Sequence, residues 1–140
     1  MSQLSKASGQ GVRRWDVDAG ERRRAPFPGG PAVRVVVGTA EDAPVGVLEV
    51  TMPAGGAMPE HDHGDSAVLL VPLAGRFRLV EAGGGDANTL EPGTVATIPV
   101  GVRVRLENAG DAEARTLVVL TPPDFAERLE TWPADAPAFA

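Results

Sequence analysis

A chain of 140 residues is one ordinary domain, able to bury about two thirds of its unfolded surface without a disulfide or a structural metal. A net charge of -6 and a pI near 4.8 withhold the basic footprint that phosphate contacts need, so no nucleic acid is expected as a partner. The absence of cysteine excludes thiolate metal sites, and the longest apolar run, Ala67–Ala74, is too short to cross a bilayer, so no membrane segment is expected.

Residues 1–30 are polar and rich in Pro and Gly, and are read as an N-terminal arm lying on the domain or exchanged with a second copy, with Trp15 its one large anchor. Residues 1–11 lack an apolar core followed by a small-residue cleavage site, which makes the cytoplasm the expected compartment. Arg22, Arg23 and Arg24, with Arg13 and Arg14 nearby, read as a solvated charged stretch. Short β-prone runs then follow at 33–37, 45–52, 60–63, 68–73, 76–80, 94–98, 102–108 and 116–120, the pattern of a sandwich or barrel. Between them, Ala54-Gly55-Gly56, Gly83-Gly84-Gly85-Asp86 and Asn108-Ala109-Gly110-Asp111 supply turn chemistry. The cleanest alternation, from Val102 to Glu107, puts Val102, Val104 and Leu106 inward and the charges outward; Arg76-Phe77-Arg78-Leu79 repeats it, with Phe77 and Leu79 inward. A single short helix is expected over 124–132, started by Thr121-Pro122-Pro123 and packing Phe125, Leu129 and Trp132 against the domain.

The chain's only two histidines stand two residues apart, as His61-Asp62-His63. Random placement gives that spacing in about one arrangement in seventy, so the pair is a modest signal. On a strand, residues i and i+2 share a face roughly 6.6 Å apart, so both imidazoles can converge on one point while Glu60 and Asp62 face away. Other catalytic arrangements are missing: the sequence has no phosphate-cradling loop ending in Lys-Ser/Thr, no Gly-x-Ser-x-Gly elbow, and no acid partner for Ser66 beside His63.

Gly55, five residues, His61-x-His63, four residues, Val68, six residues and Gly75 form one spaced motif. Gly93, five residues, Pro99-x-Gly101, two residues, Val104, three residues and Asn108 form a second. Together they resemble the two motifs of the cupin superfamily, in its small single-domain form. The resemblance implies an all-β fold, an antiparallel β-barrel or jelly roll with a short C-terminal helix. It divides the chain into an arm (1–30), a barrel (31–121) and a helix and tail (122–140).

In metal-binding cupins the places of Val68 and Val104 are usually glutamate and histidine, which complete a ligand set with the two histidines. Valine has no lone pair to offer, so the resemblance implies a degenerate site, with one divalent transition metal (Zn, Fe, Mn or Ni) held weakly if at all. His61 and His63 are the expected ligands, with Asp65 as the nearest possible third and a turn-forming role as its alternative. The pocket is expected to be lined by His61, His63, Val68, Phe77 and Val104, and to take a small, partly apolar organic molecule. Two functions stay open at this point: a binding or sensory cupin, and a metal-dependent enzyme of dioxygenase, isomerase or cyclase type. The resemblance, with the arm, also implies a homodimer.

Overall fold

β-branched and aliphatic runs separated by glycine turns pair into two antiparallel sheets that face one another. The computed structural model describes residues 11–135; residues 1–10 of the expected arm and 136–140 of the expected tail lie outside the described residues. Its strands are β1 (Arg22–Arg24), β2 (Ala32–Val37), β3 (Gly46–Met52), β4 (Ala57–His61), β5 (Ala67–Ala74), β6 (Phe77–Glu81), β7 (Ala87–Leu90), β8 (Ala96–Ile98), β9 (Val104–Asn108) and β10 (Ala114–Thr121). One sheet has the order β1-β2-β3-β10-β5-β8 and the other β4-β9-β6-β7, so the last strand in the chain is central in its sheet. This is the expected antiparallel roll, followed by a 3-10 turn at Pro123–Phe125 and one short helix, α1 (Ala126–Leu129). No helix among the described residues is long and apolar enough to cross a membrane.

Period-two alternation builds the interior. Val104 and Leu106 of β9 are buried with Arg105 exposed between them, and Phe77 and Leu79 of β6 are buried around an exposed Arg78. They meet Leu48 and Met52 of β3, Leu70 of β5, and Val118 and Leu120 of β10 in one apolar core. Outward-facing Glu49 of β3 is only 5% exposed because arginines on both flanking strands reach it, Arg34 at 3.5 Å and Arg115 through Nε at 2.9 Å. Neutralising a buried carboxylate from both sides is what makes its position tolerable.

The structure departs from the sequence reading in four places. Arg22–Arg24 is not a free solvated stretch but a strand paired with β2, its outer edge bridged by residues 133–135 and its charges met by Glu21 and Asp135. Ala87–Leu90 pairs with β6 although Ala, Asn and Thr carry little apolar signal, because the glycine turn brings it back into register. β4 is shifted toward the N-terminus and ends at His61, leaving His63 in the following turn. The helix stops at Leu129, short of Trp132, since Pro133 disfavours helical backbone in the residue before it. Trp15 of the arm is 38% exposed, beneath the Arg13 guanidinium.

Asn108, at the end of β9, ties the two sheets together. Its Nδ2 donates to the carbonyls of Met52 (3.1 Å), Pro53 (3.1 Å) and Ala112 (2.8 Å), while its Oδ1 accepts from the Gly110 N–H at 2.8 Å. Removing a buried donor strands carbonyls that water cannot reach. Asn108→Asp, which keeps the shape and loses the donor, should destabilise the fold by roughly 2–4 kcal/mol in urea unfolding, with an unchanged m-value.

Candidate binding site

β4 delivers His61 to the mouth of the roll, and the turn after it returns His63 to the same place. Gly64 takes φ +60, Asp62 Oδ1 accepts its N–H at 2.9 Å, and the Ser66 N–H donates to the His63 carbonyl at 3.1 Å. A left-handed backbone of this kind favours glycine, so the turn fixes where His63 lies. The two Nε2 atoms come within 3.1 Å, and the rings sit at 71° with centroids 4.6 Å apart. Glu60 and Asp62 point the other way, as alternation predicts, and share the Arg103 guanidinium at 3.0 and 3.1 Å.

Hydrogen bonding assigns the protons of the neutral pair. His61 Nδ1 lies 2.8 Å from the Pro59 carbonyl, which can only accept, so Nδ1 carries the proton and Nε2 is bare. His63 Nε2–H then donates to it. Burial depresses the basicity of both rings, and His63 is brought to about 4 by burial first and the neighbouring His61 second.

Around the pair the barrel encloses a cavity of about 50 Å³. Among the described residues His61 and His63 are its only ionisable lining groups; Val33, Leu48, Val104 and Leu106 are among its aliphatic walls, and Phe125, Leu129 and Trp132 close one side. Phe125 meets the His63 ring edge-on at 4.9 Å.

Of the expected pocket residues, His61, His63 and Val104 line this cavity. Val68 and Phe77 face inward and are buried but do not line it; Ile98, opposite Val68 in the ladder, and Leu79, two residues beyond Phe77, do so instead. Asp65 does not join the histidines: it is exposed, because the Gly64 turn sends it to solvent. Ser66 is buried and donates its hydroxyl proton to the Pro122 carbonyl at 2.6 Å, a structural role. The sequence reading treated Phe125, Leu129 and Trp132 as packing residues, and they are; packing onto the barrel mouth is also what makes them cavity wall. Met58, from the strand that carries His61, lines it as well.

The residues fit only part of a metal shell. Two nitrogens 3.1 Å apart are close enough to bind one ion through bonds of about 2.0–2.1 Å, but three or four protein donors are usual. Among the described residues no three His, Cys, Asp or Glu side chains gather in one place, and Val68 and Val104 add none. No step is therefore routed through a resident ion.

Residues 48–120 match the cupin domain family, just over half of the chain, and the protein belongs to that family. No protein of curated function matches the sequence. Among solved structures, the chain is similar to the polyketide cyclase RemF from Streptomyces resistomycificus, at 22% identity over 79% of this chain and 80% of that one, with a TM-score of 0.66. It is also similar to a predicted oxalate decarboxylase from Thermotoga maritima, at 16% identity over 79% and 99% of the two chains, with a TM-score of 0.68. An oxalate oxidase matches at 22% identity and a TM-score of 0.63 over 71% of this chain, which spans about half (54%) of that protein's length. At these identities the likeness shows the fold.

The depressed basicity of His63 makes a pH prediction. Its folded value of about 4 lies below the ordinary 6.5, so the unfolded chain takes up a proton first as pH falls. Stability from this group is complete above pH 6.5 and declines between 6.5 and 4, by at most about 3 kcal/mol. Urea unfolding across pH 4–8 should show the decline, and His63→Gln should flatten it.

Proposed function

We propose that this cupin binds a small, largely apolar organic molecule in the barrel, with one polar group against His61 and His63, in a binding or sensory role. The observation behind the reading is an aliphatic and aromatic cavity whose only ionisable lining groups, among the described residues, are two neutral imidazoles. In the free pair the His63 Nε2–H bonds the bare His61 Nε2; a ligand hydroxyl can replace that bond by accepting from the first and donating to the second, and a carbonyl by accepting from the first. A small dianion has no lining Arg or Lys to meet it. Isothermal titration with a panel of uncharged alcohols, phenols and ketones beside the corresponding carboxylates should give binding for uncharged members only, weakened about tenfold by His61→Ala, as one lost hydrogen bond implies. Binding confined to the carboxylates would defeat the proposal.

A divalent ion held by the two histidines and completed by water or ligand belongs to the same reading as a weak, exchangeable guest. Dialysed protein should hold substoichiometric metal, and added Zn²⁺ should bind reversibly and be lost in His61→Ala and His63→Ala. Tight metal binding, or binding that both substitutions leave unchanged, would contradict this.

We also infer a homodimer formed through the outer face of β5 and β10. Leu69 and Val71 of β5 register with Val119 and Leu117 of β10 on that face, and all four are only partly buried. A strand apolar on both faces is one that expects cover on both. Sedimentation at micromolar concentration should give a dimer, and Leu117→Glu a folded monomer. Loss of the dimer on removing residues 1–28, with Leu117→Glu still dimeric, would move the interface to the arm.

A further inference from the structure

Phe125, Leu129 and Trp132 close the cavity from one segment, which belongs to neither sheet. It leaves β10 at Thr121 and crosses the mouth past His63. Its far end is held at the edge strand β1. There the Arg24 N–H donates to the Pro133 carbonyl at 2.9 Å, the Asp135 N–H to the Arg22 carbonyl at 2.8 Å, and the Arg23 guanidinium to the Trp132 carbonyl at 2.7 Å. The Asp135 carboxylate pairs with Arg22 at 2.9 Å and Arg24 at 3.2 Å. Its flanks are tied more loosely, by an exposed Thr39–Glu127 hydrogen bond of 3.0 Å and an Arg128–Asp62 approach of 3.9 Å.

Size makes this arrangement consequential. A cavity of about 50 Å³ is far below the roughly 150 Å³ that accommodates a benzene ring. A ring-sized ligand reaches the histidines only if a wall moves. β3 and β10 are each laddered on both sides, whereas residues 123–135 are joined to the sheet by a single bridge, Arg23 to Ala134. The segment is the wall with the fewest backbone hydrogen bonds to break, although its opening also uncovers the buried Phe125, Ala126 and Leu129.

We propose that residues 123–135 form a latched cover over the histidine pair, with Asp135 and its partners Arg22 and Arg24 as the latch. Release of the latch admits the ligand, and Phe125 and Trp132 set the size that is accepted when it closes. The identity of the ligand rests on the function proposed above; the cover can be tested without one. The arginine ends of these pairs are partly exposed and the Asp135 carboxylate less so, so salt screens the latch in part and ionic strength shifts the open fraction.

The test uses full-length Trp15→Phe protein, in which Trp132 is the only tryptophan. Acrylamide quenching reports exposure of Trp132, and the rate of diethyl pyrocarbonate modification reports access to His63, which is 7% exposed in the closed state. Asp135→Asn should raise both several-fold. Raising salt from low to high should do the same in the parent and little in the variant. Amide hydrogen exchange should quicken over residues 123–135 and stay unchanged in β3 and β10. Quenching and modification indifferent to both the substitution and salt would overturn the proposal. So would exchange that quickens equally in β3 and β10, because the segment would then open only with the whole fold. A cover that opens as described in a protein that binds none of the uncharged panel would uphold the cover and remove the proposed ligand.

Discussion

β10 is the last strand made and is central in its sheet, paired with β3 on one side and β5 on the other. Neither neighbour has a complete ladder until residues 114–121 arrive, so the roll depends on contacts between distant parts of the chain. Such topology slows folding, since loop closure precedes the contacts that reward it. It also decides where the chain goes next: having left the middle of a sheet at Thr121, the chain crosses the open mouth and lays Phe125 against His63.

At that mouth, two effects of burial work together. Taking the imidazoles out of water disfavours their charged forms, and the Pro59 carbonyl fixes which nitrogen of His61 keeps its proton. The result is a neutral donor and acceptor side by side against aliphatic walls. Valine at 68 and 104 adds no donor atom to the pair. The nearby charges do not alter this. Glu60 and Asp62 share Arg103 on the outside of the strand and leave the cavity uncharged.

Much of the fold was legible in the sequence, because a period of two survives wherever one face is buried and the other is wet. β9 and β6 show it, and both bury the residues that their alternation points inward. β7 was hidden because Ala87, Asn88 and Thr89 are exposed and carry no inward signal; its place comes from backbone pairing across the glycine turn. β1 was hidden because a run of arginine looks the same whether it is free or paired into a sheet and met by carboxylates. For the site, the histidine spacing sufficed to predict convergence, although the geometry came from the Gly64 turn and not from a continuous strand. Asp65 illustrates the limit of sequence proximity: two residues from His63, it is turned to solvent by one positive φ.

Placing three cavity-lining side chains on one short segment separates two jobs that a barrel usually combines. Substitutions among Leu48, Leu106 or Leu120 disturb the scaffold, since these residues pack within the core between the sheets. Phe125 belongs to that core as well and Trp132 packs against it, but both lie on a segment outside the ladders, where a smaller or larger side chain reshapes the chamber. In evolutionary terms this is a cheap dial: on the proposed reading, a lineage changes which guest fits by altering residues 123–135, without rebuilding the barrel around them.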